Sequence, residues 1–151
     1  MMEQEAFSSQ SAAHLAGISY RQLDHWARSG LLPPSLSPAE PGIGRRRWYS
    51  FLDVVALCTV AELRRAGVSL QALRRVVAEL RRLGGGVALA EARLVVDGDD
   101  VLLTDGDTAL SILRKPGQGV LRMFVDLGDV VRQLHEAVAA TPATKAPPIA
   151  G

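Results

Sequence analysis

Residues 11–34, SAAHLAGISYRQLDHWARSGLLPP, decide the fold. Ser11 and Ser19 each precede a run of helix-forming residues. A serine hydroxyl at such a position accepts a bond from a first-turn amide that has no partner inside the helix. Gly17 stands between the two runs, where a left-handed residue closes one helix before the next begins. The spacing predicts a short helix over 12–16 and a second over 20–28, with Leu23 and Trp26 three apart on its inward face. Ser29-Gly30 ends the second helix, and Pro33-Pro34 keeps it from restarting.

Before this stretch, the first ten residues read as a frayed end. After it, residues 35–44 contain Pro38, Pro41, Gly42 and Gly44 and read as a loop. Arg45-Arg46-Arg47-Trp48-Tyr49 is a basic and aromatic run suited to the returning strand of a hairpin. Ser50 and Asp53 form a capping-box-like start to a third helix, which runs to about Ala66 and stops at Gly67. Val54, Leu57, Val60 and Leu63 would form its inward face. Ser69 caps a fourth helix with Leu70, Leu73, Val76, Val77 and Leu80 at helical spacing, and Arg74, Arg75, Arg81 and Arg82 on its other side. Gly84-Gly85-Gly86 marks a boundary.

Beyond that boundary the period changes. Residues 92–96 and 101–104 are short β-type runs around Asp97-Gly98-Asp99-Asp100, a hairpin signal. Asp107 can cap a short helix over 108–114, ended by Pro116-Gly117. Residues 120–126 suit a strand and 127–140 a helix. Val120, Phe124, Leu127, Val131, Leu134 and Val138 also fit one continuous coiled-coil helix. Gly128 and the alternation of Leu121, Met123 and Val125 favour strand then helix. Residues 141–151, with Pro142, Pro147 and Pro148, are expected to be disordered.

The chain has 151 residues, 48% hydrophobic and 22% charged, which suits a soluble globular protein. One cysteine, Cys58, excludes an internal disulfide. The start, Met1-Met2-Glu3-Gln4-Glu5, has acids where a signal peptide carries Lys or Arg, and no stretch is apolar for long enough to span a bilayer. A cytoplasmic, nucleoid-associated protein with no membrane contact is expected. The net charge of +1 is unevenly placed. Residues 1–83 hold 11 Arg and 7 acids (+4), and residues 84–151 hold 6 Lys+Arg and 9 acids (−3). A basic front suggests an anionic partner.

Two short helices joined by a glycine turn and followed by a basic hairpin make a winged helix-turn-helix. A nine-residue helix can enter the major groove of double-stranded DNA, with Ser19 at its start and Tyr20, Arg21, Gln22 and His25 on its outer face. Arg reads guanine and Gln reads adenine through paired hydrogen bonds. Arg45, Arg46 and Arg47 on the wing would hold phosphates.

These residues resemble the DNA-binding head of the MerR family of bacterial transcription regulators. The matching run is Ala16-Gly17-Ile18-Ser19, Leu23, Trp26, Gly30-Leu31-Leu32-Pro33-Pro34, Arg47-Trp48-Tyr49-Ser50, Asp53, Leu57 and Gly67-Val68-Ser69-Leu70. The resemblance implies that the second helix enters the major groove through Ser19, Tyr20, Arg21 and His25, and that Arg47 touches the backbone. Four features depart from the family, one of them Ala27 in place of a usual acid. Asp24 stands where the family usually has Arg, and it either accepts a bond from cytosine N4 or pairs with Arg28 one turn on. The loop before Arg47 is longer than usual. A long dimerisation helix does not follow Leu83. Residues 87–139 resemble instead the small tails of MerR-headed, antitoxin-like proteins, through Asp97-Gly98, Asp105-Gly106-Asp107 and Gly117-Gln118.

No nucleophile–base pair, phosphate loop or paired acids stand in a recognisable frame, so no enzyme is expected. Cys58 has no second thiol, His14 and His135 are isolated, and the aspartates of 97–107 lack the closing Glu of a calcium loop. No cofactor or metal is expected. The expected fold is mostly α. A MerR-like winged helix-turn-helix over 11–83 precedes a small α+β dimerisation or partner-binding tail over 87–140. Leu127, Val131, Leu134 and Val138 would form the dimer stripe. The expected function is a sequence-specific DNA-binding regulator acting as a homodimer on a palindromic operator. The alternatives are an antitoxin whose tail holds a toxin and whose head represses its own operon, and a non-DNA or excisionase-like accessory module.

Overall fold

A computed structural model of the chain describes residues 6–36, 47–104 and 122–140. Within the ten residues expected to fray, Ala6–Ser8 form strand β1, and helix α1 (Ser9–Ala16) follows at once. Its cap is Ser8 rather than Ser11, and the Ser11 amide is the donor to the Ser8 hydroxyl at 3.2 Å. The local pattern could not show this, because β1 exists by pairing with β2 (Trp48–Ser50), about forty residues away, Phe7 lying opposite Tyr49. Both of those side chains are buried.

Gly17, at φ 71°, closes α1, and the Ile18 amide bonds back to the Ala13 carbonyl at 3.0 Å. Helix α2 (Tyr20–Arg28) then starts at its expected cap, with the Gln22 amide donating to the Ser19 hydroxyl at 3.0 Å. Leu23 and Trp26 are buried, as their spacing predicts. The basic run around Trp48 does form a strand, but over 48–50 and with β1 as its partner. The Leu36 amide donates to the Trp48 carbonyl at 3.1 Å, which joins the chain after α2 to β2.

Helix α3 (Phe51–Arg65) begins with a reciprocal capping box between Ser50 and Asp53. Val54, Leu57, Val60 and Leu63 are buried, and so are Val55, Ala56, Thr59 and Ala61 on other sides. A helix buried on most of its faces is the centre of the fold. Helix α4 (Leu70–Leu83) is capped by Ser69 and buries Leu73, Val76, Val77 and Leu80. Leu70 belongs to the expected stripe but is exposed, because it occupies the first position of the helix, beyond the core's edge.

Gly84 ends α4 with φ 79°. A short helix that the sequence did not announce, α5 (Gly86–Ala90), follows and buries Leu89. Strands β3 (Arg93–Asp97) and β4 (Asp100–Thr104) form the expected hairpin, with Gly98 at φ 63° in its turn. Strand β5 (Arg122–Asp126) pairs antiparallel with β3, giving the order β4-β3-β5. Helix α6 (Leu127–Ala140) follows directly, so the choice between strand-then-helix and one long helix falls to the former. The helix expected over 108–114 and the expected disorder of 141–151 lie outside the described residues.

The sheet's inner face, Leu94, Val96 and Val125, joins the same apolar core as the helices of the head. Leu127 and Leu134 are buried in that core, and Val131 and Val138 pack against it half-exposed. The stripe proposed for a dimer is thus largely turned inward on its own chain. The Phe51 ring at the start of α3 stacks on the His135 ring of α6, with centroids 4.4 Å apart. At the foot of α6, a Cβ on Gly128 would lie 2.3 Å from the Ala90 carbonyl oxygen, so only glycine fits against α5 there.

Candidate DNA-binding surface

Helix α2 is anchored by Leu23 and Trp26, and these two leave its opposite side free. Tyr20, Arg21 and His25 are exposed on that side, while Gln22 is half-buried. The Ser19 hydroxyl accepts from the Gln22 amide, which fixes the start of the helix and leaves its O–H able to donate outward. Trp26 sets the far end. Its carbonyl accepts bonds from the Ser29 hydroxyl at 3.3 Å and the Leu32 amide at 3.1 Å, which fold the chain back under the helix.

Arg47 stands where the chain leaves the loop and enters β2. Its Nη1 donates to Asp24 Oδ1 on α2 at 2.7 Å. The other Asp24 oxygen accepts from Arg28 Nε at 2.9 Å. The Arg28 pairing is the one that the helical spacing allows. The Arg47 pairing, across 23 positions, has no local signature in the sequence. The hydrogen bond from Arg47, reinforced by the charges of Arg28 and Arg47, holds the Asp24 carboxyl below its ordinary 3.8. The same bond raises the Arg47 guanidinium. Arg45 and Arg46 lie outside the described residues.

The loop's base is fixed by a buried carboxylate. Asp53 Oδ2 accepts from the Ser35 amide at 2.9 Å, the Ser35 hydroxyl at 2.7 Å and the Ser50 amide at 2.9 Å. Sequence reasoning found Asp53 as a helix cap but not as the tie between the loop and the helix bundle. Helix α2 therefore lies beside a segment whose described flanks, Ser35 and residues 47–50, are tied to α3 and to α2 by hydrogen bonds.

Residues 7–80 match the MerR HTH family regulatory protein family. The head of the chain belongs to the MerR family. Over most of its length the chain is similar to proteins named as uncharacterized HTH-type transcriptional regulators, one from Mycobacterium bovis and two from strains of Mycobacterium tuberculosis. Each is 39% identical over 129 residues, an alignment that covers 85% of this chain and 56% of the relative. The chain thus spans little more than half the length of these relatives.

Other chemistry is sparse among the described residues of the MerR-headed chain. Cys58 lies half-buried with its thiol 3.8 Å from the Leu15 carbonyl, and burial pushes it up to about 11. Among the described residues, no three His, Cys, Asp or Glu side chains are grouped to hold a metal ion. No described helix is long and apolar enough to cross a membrane.

Proposed function

We propose that the protein is a sequence-specific DNA-binding transcription regulator of the cytoplasm, without enzymatic activity or cofactor. What carries the proposal is the exposed face of α2, where Tyr20, Arg21 and His25 project from a helix held by Leu23 and Trp26 in a MerR head. Arg21 and His25 would meet base edges in the major groove, with Gln22 at the margin, and Ser19 would orient the helix. Arg45, Arg46 and Arg47 would contact phosphates.

One nine-residue helix reaches too few bases for tight, selective binding, so the operator should be two-fold symmetric and the regulator a homodimer. Residues 11–83 would supply the DNA contacts and residues 87–140 the contacts to the second copy. Of the tail stripe, Val131 and Val138 have area left to offer, since Leu127 and Leu134 are taken up within the chain.

A second reading gives the tail a different protein to hold, such as a toxin. It is favoured by the sheet's outer face, where Leu102 and Phe124 flank Val95 in register and are both exposed. Titration of the full chain against labelled duplexes at several salt concentrations tests the DNA reading. Arg45, Arg46 and Arg47 replaced together by Ala should weaken binding to every duplex and flatten the salt slope by about 0.9 for each phosphate no longer neutralised. An unchanged slope would remove the wing from the account.

A further inference from the structure

Resting on the DNA-binding reading, we propose that Asp24 is a specificity-setting residue. By holding Arg47 and sharing itself with Arg28, it keeps these cations from indiscriminate contact with phosphate.

The geometry makes the restraint concrete. Each carboxylate oxygen already carries a guanidinium, Arg47 at 2.7 Å and Arg28 at 2.9 Å. The Asp24 and Arg47 side chains are only 27% and 25% exposed, so their pairing is far less screened than an open surface pair. Arg28 is 73% exposed and more loosely held. Arg47 is the described member of the basic run and Asp24 lies on α2 between the exposed Arg21 and His25 and the start of β2, so under the DNA-binding reading the pair sits where DNA would arrive.

A cation held this way reaches a phosphate only by exchanging a carboxylate for it. On a duplex that docks α2 correctly, the groove contacts support that exchange. On an arbitrary duplex nothing supports it, and the cation stays on the carboxylate. Non-specific affinity, which comes almost entirely from phosphate neutralisation, is thereby lowered more than specific affinity. The same pair joins the wing base to α2, which fixes the distance between the two DNA-facing elements. An acid on a DNA-facing helix is otherwise a liability, since it repels the backbone.

The test uses the full chain, a labelled random-sequence duplex about two helical turns long, and the tightest duplex that the chain selects from a random pool. Binding is followed by fluorescence anisotropy between about 50 and 200 mM salt. Asp24→Asn should bind the random duplex roughly three- to tenfold more tightly at low salt, with a slope steeper by about 0.9 for each cation released. Its affinity for the selected duplex should rise less, so discrimination falls. Asp24→Glu should restore discrimination.

Removing one negative charge would by itself strengthen DNA binding, so the comparison is repeated in an Arg47→Gln background. There the larger part of the Asp24→Asn effect should vanish, leaving only what Arg28 contributes. An effect of equal size in both backgrounds would overturn the proposal, as would an unchanged slope. A change in base preference at one operator position would also overturn it, by making Asp24 a direct reader of cytosine. Helicity measured by circular dichroism separates these outcomes from misfolding. A wild-type chain that bound neither duplex would instead refute the DNA-binding reading, before any variant is compared.

Discussion

Arg81, near the end of α4, donates from Nη1 to Asp53 in the first turn of α3 at 3.2 Å, and from Nη2 to the Pro33 carbonyl at 3.1 Å. Asp53 is only 1% exposed, yet between Arg81, Ser35 and Ser50 both its oxygens are satisfied. This one carboxylate joins the chain after α2, the strand β2 and the helix α4. Asp53→Ala should cost about 3–5 kcal/mol, because it removes at once the capping box and the charged acceptor of the Ser35, Ser50 and Arg81 hydrogen bonds. Arg81→Met should cost less, about 1–3 kcal/mol, since the serine donors remain. Urea unfolding of both variants checks the order, and a larger loss for Arg81→Met would contradict it.

Gly128 is required by a close approach. With 2.3 Å available between a new Cβ and the Ala90 carbonyl, Gly128→Ala must push α6 away from α5. A loss of about 1–3 kcal/mol is expected from such overpacking, despite alanine's better helix propensity. A variant as stable as the parent would show that the two helices do not approach this closely.

Tyr49 buries its hydroxyl with no hydrogen-bond partner among the described residues. Burial pushes it from 10.0 to about 12. The folded protein therefore keeps this proton where the unfolded chain releases it. Stability from this group is intact below pH 10 and is lost as pH rises toward 12, by a few kcal/mol at most, on the order of 1.4 kcal/mol for each unit of displacement. Cys58, raised from 9.0 to about 11, adds a loss of the same sign that begins lower. In a Cys58→Ala background, Tyr49→Phe should be as stable as the parent at pH 7 and lose less stability between pH 10 and 12. Parallel alkaline curves for the two proteins would contradict the assignment.

Leu134 fills the core shared by tail and head. Leu134→Ala should cost about 2–5 kcal/mol. Trp26 and Trp48 both lie in the head, so tryptophan fluorescence should report the loss at the same midpoint as helicity does. Two separate transitions would mean that residues 11–83 and 87–140 melt independently.

Features fixed by neighbours in the chain were legible in the sequence. The Ser19 cap, the Ser50–Asp53 box, the Asp97–Asp100 hairpin and the strand-to-helix passage at Asp126–Leu127 each depend on residues a few positions apart. Features made by distant parts of the chain were not. β1 is a strand only because β2 lies beside it, and Leu127 and Leu134 are buried because α1, α3, α5 and the sheet pack against α6. In the candidate site, the exposed face of α2 followed from the spacing of Leu23 and Trp26. The Asp24–Arg47 pair did not, since no periodicity links residues on opposite sides of a loop.

The central claim is that the outer face of α2 reads DNA. Selection of bound duplexes from a random pool, run in parallel with the wild type, Arg21→Ala and His25→Ala, tests it most directly. The wild type should enrich a two-fold symmetric site, and each variant should lose its preference at a base pair in both half-sites, at about 1–3 kcal/mol for each base no longer read. Enrichment of the same site with the same preferences by all three proteins would contradict the claim.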